Sequence, residues 1–240
     1  MIDLHCHLFP GIDDGPRELS DSIELARLSV ENGITHAVVT PHITPGRYDN
    51  DLYTISTAHQ AFKQALIENK INLNIGMAAE VRLGPEIFTL FEEERLPFLG
   101  EFEGKKVLLL EFPHDHIPPG SDKMVKWLFE HNIIPMIAHP ERNRDILRKI
   151  VKLQPFVEAG CLLQITASSL VGNFGPQSEQ CAKTILEKGW VTILASDAHN
   201  LHKRLPEIEP GRAVVEEMLG KDASWKMVKD IPWEIASNHF

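Results

Sequence analysis

The chain has 240 residues, 43% of them hydrophobic, and a formal charge of −10 at pH 7, from 24 Lys and Arg against 34 Asp and Glu. A chain of this size can bury a substantial core, so residues 1–240 are predicted to form one domain. The acidic balance argues against a protein that binds nucleic acid or an anionic membrane surface, because both need a basic field.

The cysteines and the apolar runs bear on the cellular compartment. Three cysteines are an odd and sparse set, which does not predict a disulfide framework. The chain opens on polar, ligand-type residues rather than on a signal peptide. Its apolar runs are strand-length, far short of the roughly 20 residues of a membrane span. We therefore expect a cytoplasmic protein without membrane insertion.

Strand-length apolar runs alternate with stretches of helical period along the chain. The first such stretch has Leu19, Ile23, Ala26 and Val30 at helical spacing, and Asn32-Gly33 are residue types that end a helix. The predicted strands are residues 2–7, 36–40, 73–79, 106–112, 133–138, 161–166 and 190–195. The predicted helices are residues 19–30, 51–69, 85–94, 121–130, 145–159 and 177–188, with further helical stretches at 212–219 and 224–229.

Seven strand–helix units can form either an open doubly wound sheet or a closed barrel. In an open sheet the functional residues concentrate at the point where the strand order reverses. Here ligand-type residues follow six of the seven predicted strands, and only a closed ring brings so many strand ends around one centre. The predicted fold is therefore α/β, a distorted (β/α)7 TIM-like barrel.

Two pairs of ligand-type residues mark the first and the last predicted strand. His5 and His7 are two residues apart, so both side chains point to one face of the strand. Asp197 and His199 repeat this spacing, and closure of the barrel would place them beside the first pair. A His-x-His pair can bind one metal ion through both imidazoles. Two satisfied structural histidines are the alternative for the first pair alone.

Five further candidate ligands lie between these pairs. They are Asp14, His42, Glu80, Glu111 and His139. The two glutamates follow apolar runs, where a carboxylate is costly unless it is paired or binds a metal. An ordinary buried ion pair is the alternative for each of them. Asp14 also fits a turn, because it stands in Asp-Asp-Gly.

Five imidazoles and four carboxylates, with no thiolate, suit Mn²⁺, Fe²⁺ or Zn²⁺. Their number predicts two or three ions in one open pocket. Ions about 3.5–4 Å apart can activate a water and hold phosphate oxygens during in-line attack, so hydrolysis of a phosphate ester is the leading reaction. None of the three cysteines has an arginine six positions later, so a cysteine-dependent phosphatase is not expected. Arg142 and Arg204 could each bind phosphate or be surface charges.

Taken together, eight segments resemble the bacterial protein-tyrosine phosphatases of the polymerase-and-histidinol-phosphatase (PHP) superfamily that are encoded with capsule and exopolysaccharide genes. These segments are Ile-Asp-Leu-His-Cys-His (2–7), Asp-Asp-Gly (13–15), Thr-Pro-His (40–42), Glu80, Leu-Glu-Phe-Pro (110–113), Ala-His-Pro-Glu-Arg-Asn (138–143), Gln-Ile-Thr-Ala-Ser-Ser-Leu (164–170) and Ala-Ser-Asp-Ala-His-Asn (195–200). The resemblance covers nearly the whole chain and weakens only after about residue 205.

The resemblance implies a site of three ions, usually Mn²⁺. It assigns the first ion to His5, His7, Glu80 and Asp197, the second to Glu80, Glu111 and His139, and the third to Asp14, His42 and His199. Arg142 and Arg204 match the phosphate-binding arginines of the family. The implied substrate is a phosphotyrosine on the C-terminal tail of a bacterial tyrosine kinase that controls capsule or exopolysaccharide synthesis.

Other functions remain open at this stage. A small-molecule phosphatase of the same superfamily, such as a histidinol-phosphatase, would use the same ligands, although segments 110–113 and 164–170 favour the phosphotyrosine branch. An amidohydrolase would also fit a barrel with these ligands. From a different class, a regulator could bind phosphotyrosine without turning it over.

Overall fold

The structure, a computed structural model that describes residues 1–240, has ten strands and ten α-helices. The strands are β1 (Ile2–Cys6), β2 (His36–Val39), β3 (His42–Ile43), β4 (Asn74–Met77), β5 (Glu80–Arg82), β6 (Gly100–Phe102), β7 (Lys105–Glu111), β8 (Ile133–Ala138), β9 (Leu162–Thr166) and β10 (Ile193–Ala195). The helices are α1 (Leu19–Glu31), α2 (Leu52–Glu68), α3 (Glu86–Glu92), α4 (Ser121–Glu130), α5 (Arg144–Arg148), α6 (Gln154–Glu158), α7 (Pro176–Glu187), α8 (Glu209–Leu219), α9 (Lys221–Trp225) and α10 (Ile231–Ala236).

All strands except β6 pair in parallel and form one ring. Two positions of the ring are each occupied by a pair of strands separated by two residues, namely β2 with β3 and β4 with β5. The seven positions around the ring are therefore β1, β2/β3, β4/β5, β7, β8, β9 and β10. The amide of His7 donates to the carbonyl of Ala198 at 2.8 Å, and that of Asp197 donates to the carbonyl of His5 at 2.7 Å. These bonds join the chain that follows β10 to β1 and so close the ring. The predicted seven-stranded barrel is confirmed.

The barrel interior is filled by an apolar cluster beneath the carboxyl ends of the strands. Val107 and Leu109 lie on the same face of β7 as Glu111, because side chains alternate along a strand. Ile235 and Ala236 of α10 pack into the same cluster. The larger apolar cluster, of 47 buried residues, includes side chains of the surrounding helices. The polar side chains of the carboxyl ends therefore stand on a packed apolar floor.

The predicted helix over residues 145–159 is wrong in one respect, because it is broken into α5, a 3₁₀ turn and α6. Lys149 is extended, with φ −150° and ψ 93°, and Pro155 stands in the first turn of α6. Proline has no amide hydrogen to donate and clashes with the preceding turn, so it begins a helix more easily than it continues one. The apolar period of the sequence runs through this break, which is why periodicity alone did not show it.

The sequence also did not predict β6, an antiparallel neighbour of β7. Glu103 and Gly104 join the two strands, with φ values of 51° and 74°. Two successive residues with positive φ are typical of the tight turns that connect hairpin strands. The C-terminal helical stretch is also longer than predicted, running through α9, a π-helical turn (Lys226–Asp230) and α10. No helix of the structure has the length and apolar character that a membrane span needs.

Candidate metal centre

The carboxyl ends of the barrel strands bring all nine candidate ligands to one place. The nine residues are His5, His7, Asp14, His42, Glu80, Glu111, His139, Asp197 and His199. Seven of them lie at strand ends or within two residues of one, whereas Asp14 and His199 lie in the loops after β1 and β10. All except Asp14 are buried. Buried histidines and carboxylates at this density are costly unless they bind one another or a cation.

Eight of the nine residues fall into three overlapping groups whose ligand atoms lie within 4.8 Å of one another. The groups are His5, His7, Glu80 and Asp197; His7, Asp14, His42 and His199; and His42, Glu80 and Glu111. The first is the same set that the family resemblance implied. In the third, His42 stands where His139 was expected, while His139 Nε2 lies 2.6 Å from Glu80 Oε1. The assignment of individual ions to these residues stays a prediction.

The distances within the first group test whether it fits a metal ion. His5 Nε2 lies 3.3 Å from His7 Nε2, 3.2 Å from Glu80 Oε2 and 3.3 Å from Asp197 Oδ1. His7 Nε2 lies 3.4 Å and 3.5 Å from the same two oxygens. A tetrahedron of ligands about 2.1 Å from its centre has edges of about 3.4 Å. The four side chains therefore converge as the ligands of one small cation do.

Buried atoms without hydrogen-bond partners give a second test of whether this centre fits metal ions. They include His42 Nδ1, Glu80 Oε2, Asp197 Oδ1 and His199 Nε2. Glu111 Oε2, by contrast, forms an ion pair with Arg82 Nε at 3.0 Å. Each such atom costs roughly 1–3 kcal/mol when it has no partner, so native proteins seldom leave several together. All four unpartnered atoms belong to the three ligand groups. The donor set and its unpartnered atoms thus fit divalent cations.

The carboxylates favour positive charge at this centre. Burial by itself lowers the pKa of His5, but the negative charges of Glu80 and Asp197 outweigh it and raise that pKa to about 9. Burial, and then the nearby charge of Glu80, raises the pKa of Glu111 to about 7. Burial and the guanidinium of Arg142 instead lower the pKa of His139 to about 3, so this imidazole is neutral at pH 7. A cation bound by His5 would have to displace the proton of that imidazole, because a histidine binds metal in its neutral form.

Asp197 also positions the two predicted phosphate-binding arginines. Its Oδ2 atom lies 2.7 Å from Arg142 Nη1 and accepts a hydrogen bond from Arg204. The backbone of Asp197 has φ 54°, which is uncommon for a residue other than glycine. Burial opposes ionisation of Asp197, but Arg142 and Arg204 outweigh it and hold the pKa of the carboxyl well below its usual range. One carboxylate therefore serves the ligand group and both arginines.

The cavity over the centre has a volume of about 290 Å³ and a basic rim. Arg47, Arg82, Arg142 and Arg204 all line it, together with Phe174. The Nε of Arg204 is buried and has no acceptor in the protein. A buried guanidinium N–H without an acceptor, beside residues that could hold cations, suits an anionic ligand with several oxygens, because the guanidinium fork matches such groups.

Sequence reasoning missed the residues that orient the histidines. Asp13 Oδ2 lies 2.6 Å from His7 Nδ1 and accepts from the amide of His42 at 3.1 Å. Gln164 Oε1 lies 2.8 Å from His5 Nδ1 and accepts from the amide of His139 at 3.2 Å. Such partners fix the orientation of metal-binding imidazoles. A polar Gln164 inside the apolar run Leu-Leu-Gln-Ile was the signal that could have revealed one of them.

We expect Asp13→Asn to weaken metal binding about 10- to 100-fold, the usual cost of losing such a partner. Both carboxylate oxygens of Asp13 face donors, since Oδ1 accepts from the amide of Gly15. An amide nitrogen in this position would face one of these donors. Calorimetric titration of chelator-stripped protein with Mn²⁺ measures the effect. Asp115→Asn, which alters an exposed Asp–His pair outside the centre, is the matched control and should titrate like the wild type.

A parallel barrel whose strand ends hold clustered imidazoles and carboxylates, under an open pocket with a basic rim, is the arrangement of a metal-dependent hydrolase for an anionic substrate. A family model described as "Capsular polysaccharide synthesis, CpsB/CapC" matches residues 1–236. The chain belongs to the CpsB/CapC family. The resemblance seen in the sequence is thereby confirmed.

Individual relatives agree with this family. The tyrosine-protein phosphatase YwqE of Bacillus subtilis is 34% identical over 230 residues, which are 96% of this chain and 89% of the relative. A crystal structure from work on YwqE of B. subtilis and CpsB of Streptococcus pneumoniae, named as metal-dependent tyrosine phosphatases, superposes with a TM-score of 0.91 at 33% identity and covers 100% of this chain and 96% of that one. A histidinol phosphate phosphatase of Lactococcus lactis, with a TM-score of 0.56 at 16% identity over 92% and 94% of the chains, shares the fold.

Proposed function

We propose that this chain hydrolyses phosphotyrosine on protein with the help of bound divalent cations. The observation that carries the proposal is the ring of convergent ligands with two arginines anchored on Asp197 beside it. The enzyme class predicted from the sequence, a metal-dependent tyrosine phosphatase, agrees with the names of the relatives and with capsule synthesis as the role of the family.

The roles of the nine ligands and two arginines are part of this proposal. Divalent cations, when bound, stabilise charge on the phosphoryl oxygens and lower the pKa of a water that serves as nucleophile. The imidazoles and carboxylates would hold these cations. Arg142 and Arg204 each have several guanidinium N–H groups beyond those bound to Asp197, and these would bind the phosphoryl oxygens as charge develops on them.

An aromatic leaving group fits the part of the cavity wall that Phe174 forms. Phe174 lies at its wall, with the Arg142 guanidinium 4.6 Å from the ring centre. A phenyl ring that enters beside Phe174 can pack against its face or edge, as aromatic pairs do. Metal ligands fill the floor of the cavity, so the phosphoryl group of the substrate would lie deepest and the ring nearer to the entrance.

The finer parts of the proposal concern the metal, the partner and the compartment. We infer Mn²⁺ as the working ion, with Fe²⁺ and Zn²⁺ as the other cations that this mixture of nitrogen and oxygen ligands suits. The physiological substrate would be the C-terminal tail of a bacterial tyrosine kinase, and residues 1–240 would act as one catalytic domain. All three cysteines are free thiols, in keeping with a reducing compartment such as the cytoplasm.

Phosphate release by chelator-stripped protein, with Mn²⁺, Fe²⁺ or Zn²⁺ added back, tests the proposal. The substrates are a phosphotyrosine peptide, the same peptide with phosphoserine, and histidinol phosphate. We expect metal-dependent release that favours the phosphotyrosine peptide. Release from histidinol phosphate alone would retain the metal chemistry and replace the substrate, whereas binding of the phosphotyrosine peptide without release would indicate a regulator.

A further inference from the structure

A second cavity, of about 540 Å³, adjoins the one over the metal centre. The two share His114, Arg142 and Phe174 as lining residues. The second cavity extends from these residues between α5 and the start of α7, where it is lined by Arg144 and Pro176 among others. A substrate bound at the metal centre would therefore have a neighbouring space on this side into which it could continue.

The charge of this second cavity is opposite to that of the chain. The protein carries a net −10 at pH 7, yet none of the nine lining residues is acidic and two are arginines. Burial, and then the charges of Arg142 and Arg144, lowers the pKa of His114 against the opposing charge of the exposed Asp115. An anionic group would be attracted to this cavity, and a cationic one would be repelled.

Arg144 is the side chain of the second cavity that has the clearest capacity for a ligand. It is exposed, and its guanidinium forms no hydrogen bond or ion pair in the protein. Its backbone, by contrast, is held, because its amide donates to the carbonyl of His114 at 3.0 Å. The side chain therefore starts from a fixed position, and its donors are free for a carboxylate.

We propose that the second cavity is a subsite for the peptide that flanks the phosphotyrosine, and that Arg144 binds an acidic side chain of that peptide there. This proposal rests on the proposed function. An extended peptide advances about 3.3–3.6 Å per residue, so a residue within a few positions of the phosphotyrosine reaches the space beyond Phe174. The metal centre would bind the phosphoryl group of any phosphotyrosine. Arg144 would favour substrates with an acidic neighbour.

The experiment compares two phosphotyrosine peptides that differ only in having Asp or Asn at the positions flanking the phosphotyrosine. The readout is the ratio of their kcat/KM values, measured with Mn²⁺-loaded enzyme. We expect the wild type to prefer the Asp peptide roughly two- to fivefold, chiefly through KM, as an exposed ion pair would allow. Arg144→Gln should bring the ratio close to one. Higher salt should reduce the preference of the wild type, because the pair is exposed.

Arg148→Gln is the matched control, since Arg148 is an exposed arginine one turn further along α5 that does not line either cavity. It should retain the preference of the wild type. A wild type without preference, or an Arg144→Gln variant that keeps it, would overturn the subsite. Hydrolysis of p-nitrophenyl phosphate, which has no flanking peptide, separates the two proposals: if the wild type hydrolyses none of the three substrates, the proposed function fails, and the subsite fails with it.

Discussion

Asp197→Ala is expected to reduce phosphotyrosine hydrolysis by about three orders of magnitude or more, since transition-state charge stabilisation and metal-assisted chemistry each contribute on that scale. The substitution removes an oxygen from the group that includes His5 and His7, and it removes the carboxylate that anchors Arg142 and Arg204. Steady-state kinetics with saturating Mn²⁺ measures the loss. A variant with wild-type turnover would show that the chemistry does not depend on this centre.

Loss of stability has to be separated from loss of chemistry in this variant. Arg142 is largely buried and would lose its partner, which commonly costs about 3 kcal/mol or more. Asp51→Ala is a suitable control, because Asp51 is also a buried carboxylate that binds an arginine, Arg95, and it belongs to none of the ligand groups. It should lower the melting temperature and retain turnover. Circular dichroism of both variants checks that the barrel is still formed.

Glu80→Gln is expected to remove at least one metal ion per chain and to lower turnover by about two to three orders of magnitude. Glu80 belongs to two of the three ligand groups, and its other oxygen lies 2.6 Å from His139 Nε2. Glutamine has nearly the same shape, but it is neutral and offers only one acceptor oxygen. Elemental analysis of dialysed protein, normalised to chain concentration, measures the metal content beside the kinetics.

The two readouts of Glu80→Gln must change together. Wild-type metal content with lost turnover would mean that Glu80 acts in the chemistry and not in holding the ions. Unchanged turnover with fewer ions would mean that the ion held through Glu80 is dispensable. Substitution of Glu68, an exposed glutamate at the end of α2, with glutamine provides a control for the change of residue type and should alter neither quantity.

The local sequence determined most of the secondary structure for a simple reason. Continuous apolar runs such as Val107-Leu108-Leu109-Leu110 suit a strand that is covered on both faces, and β7 contains this run. Helical period with a glycine stop placed α1 and its end at Asn32-Gly33, where Gly33 has φ 79°. The secondary-structure prediction failed at two kinds of place. One is where a backbone feature interrupts an unchanged apolar pattern, as at Pro155, and the other is where a strand forms only through pairing with a neighbour, as β6 does.

The sequence by itself also determined which residue types stand at the strand ends, and a closed barrel then requires them to converge. Only the tertiary structure decided how they converge. It placed His42 in the group with Glu111, where His139 was expected, and it paired Asp197 with both arginines. It also placed Asp13 and Gln164 where they orient histidines. These contacts depend on loop paths and on side-chain directions between distant segments.

The second cavity could not be predicted from the sequence either. Arg142 is largely buried and paired with Asp197, while Arg144, two residues further on, is exposed and unpartnered, although both are arginines in one short segment. The local pattern fixes which side chains a segment has and which face of a strand or helix they share. The packing of that segment against others decides which of them meet a partner and which face an open cavity, because burial and pairing are properties of the whole fold.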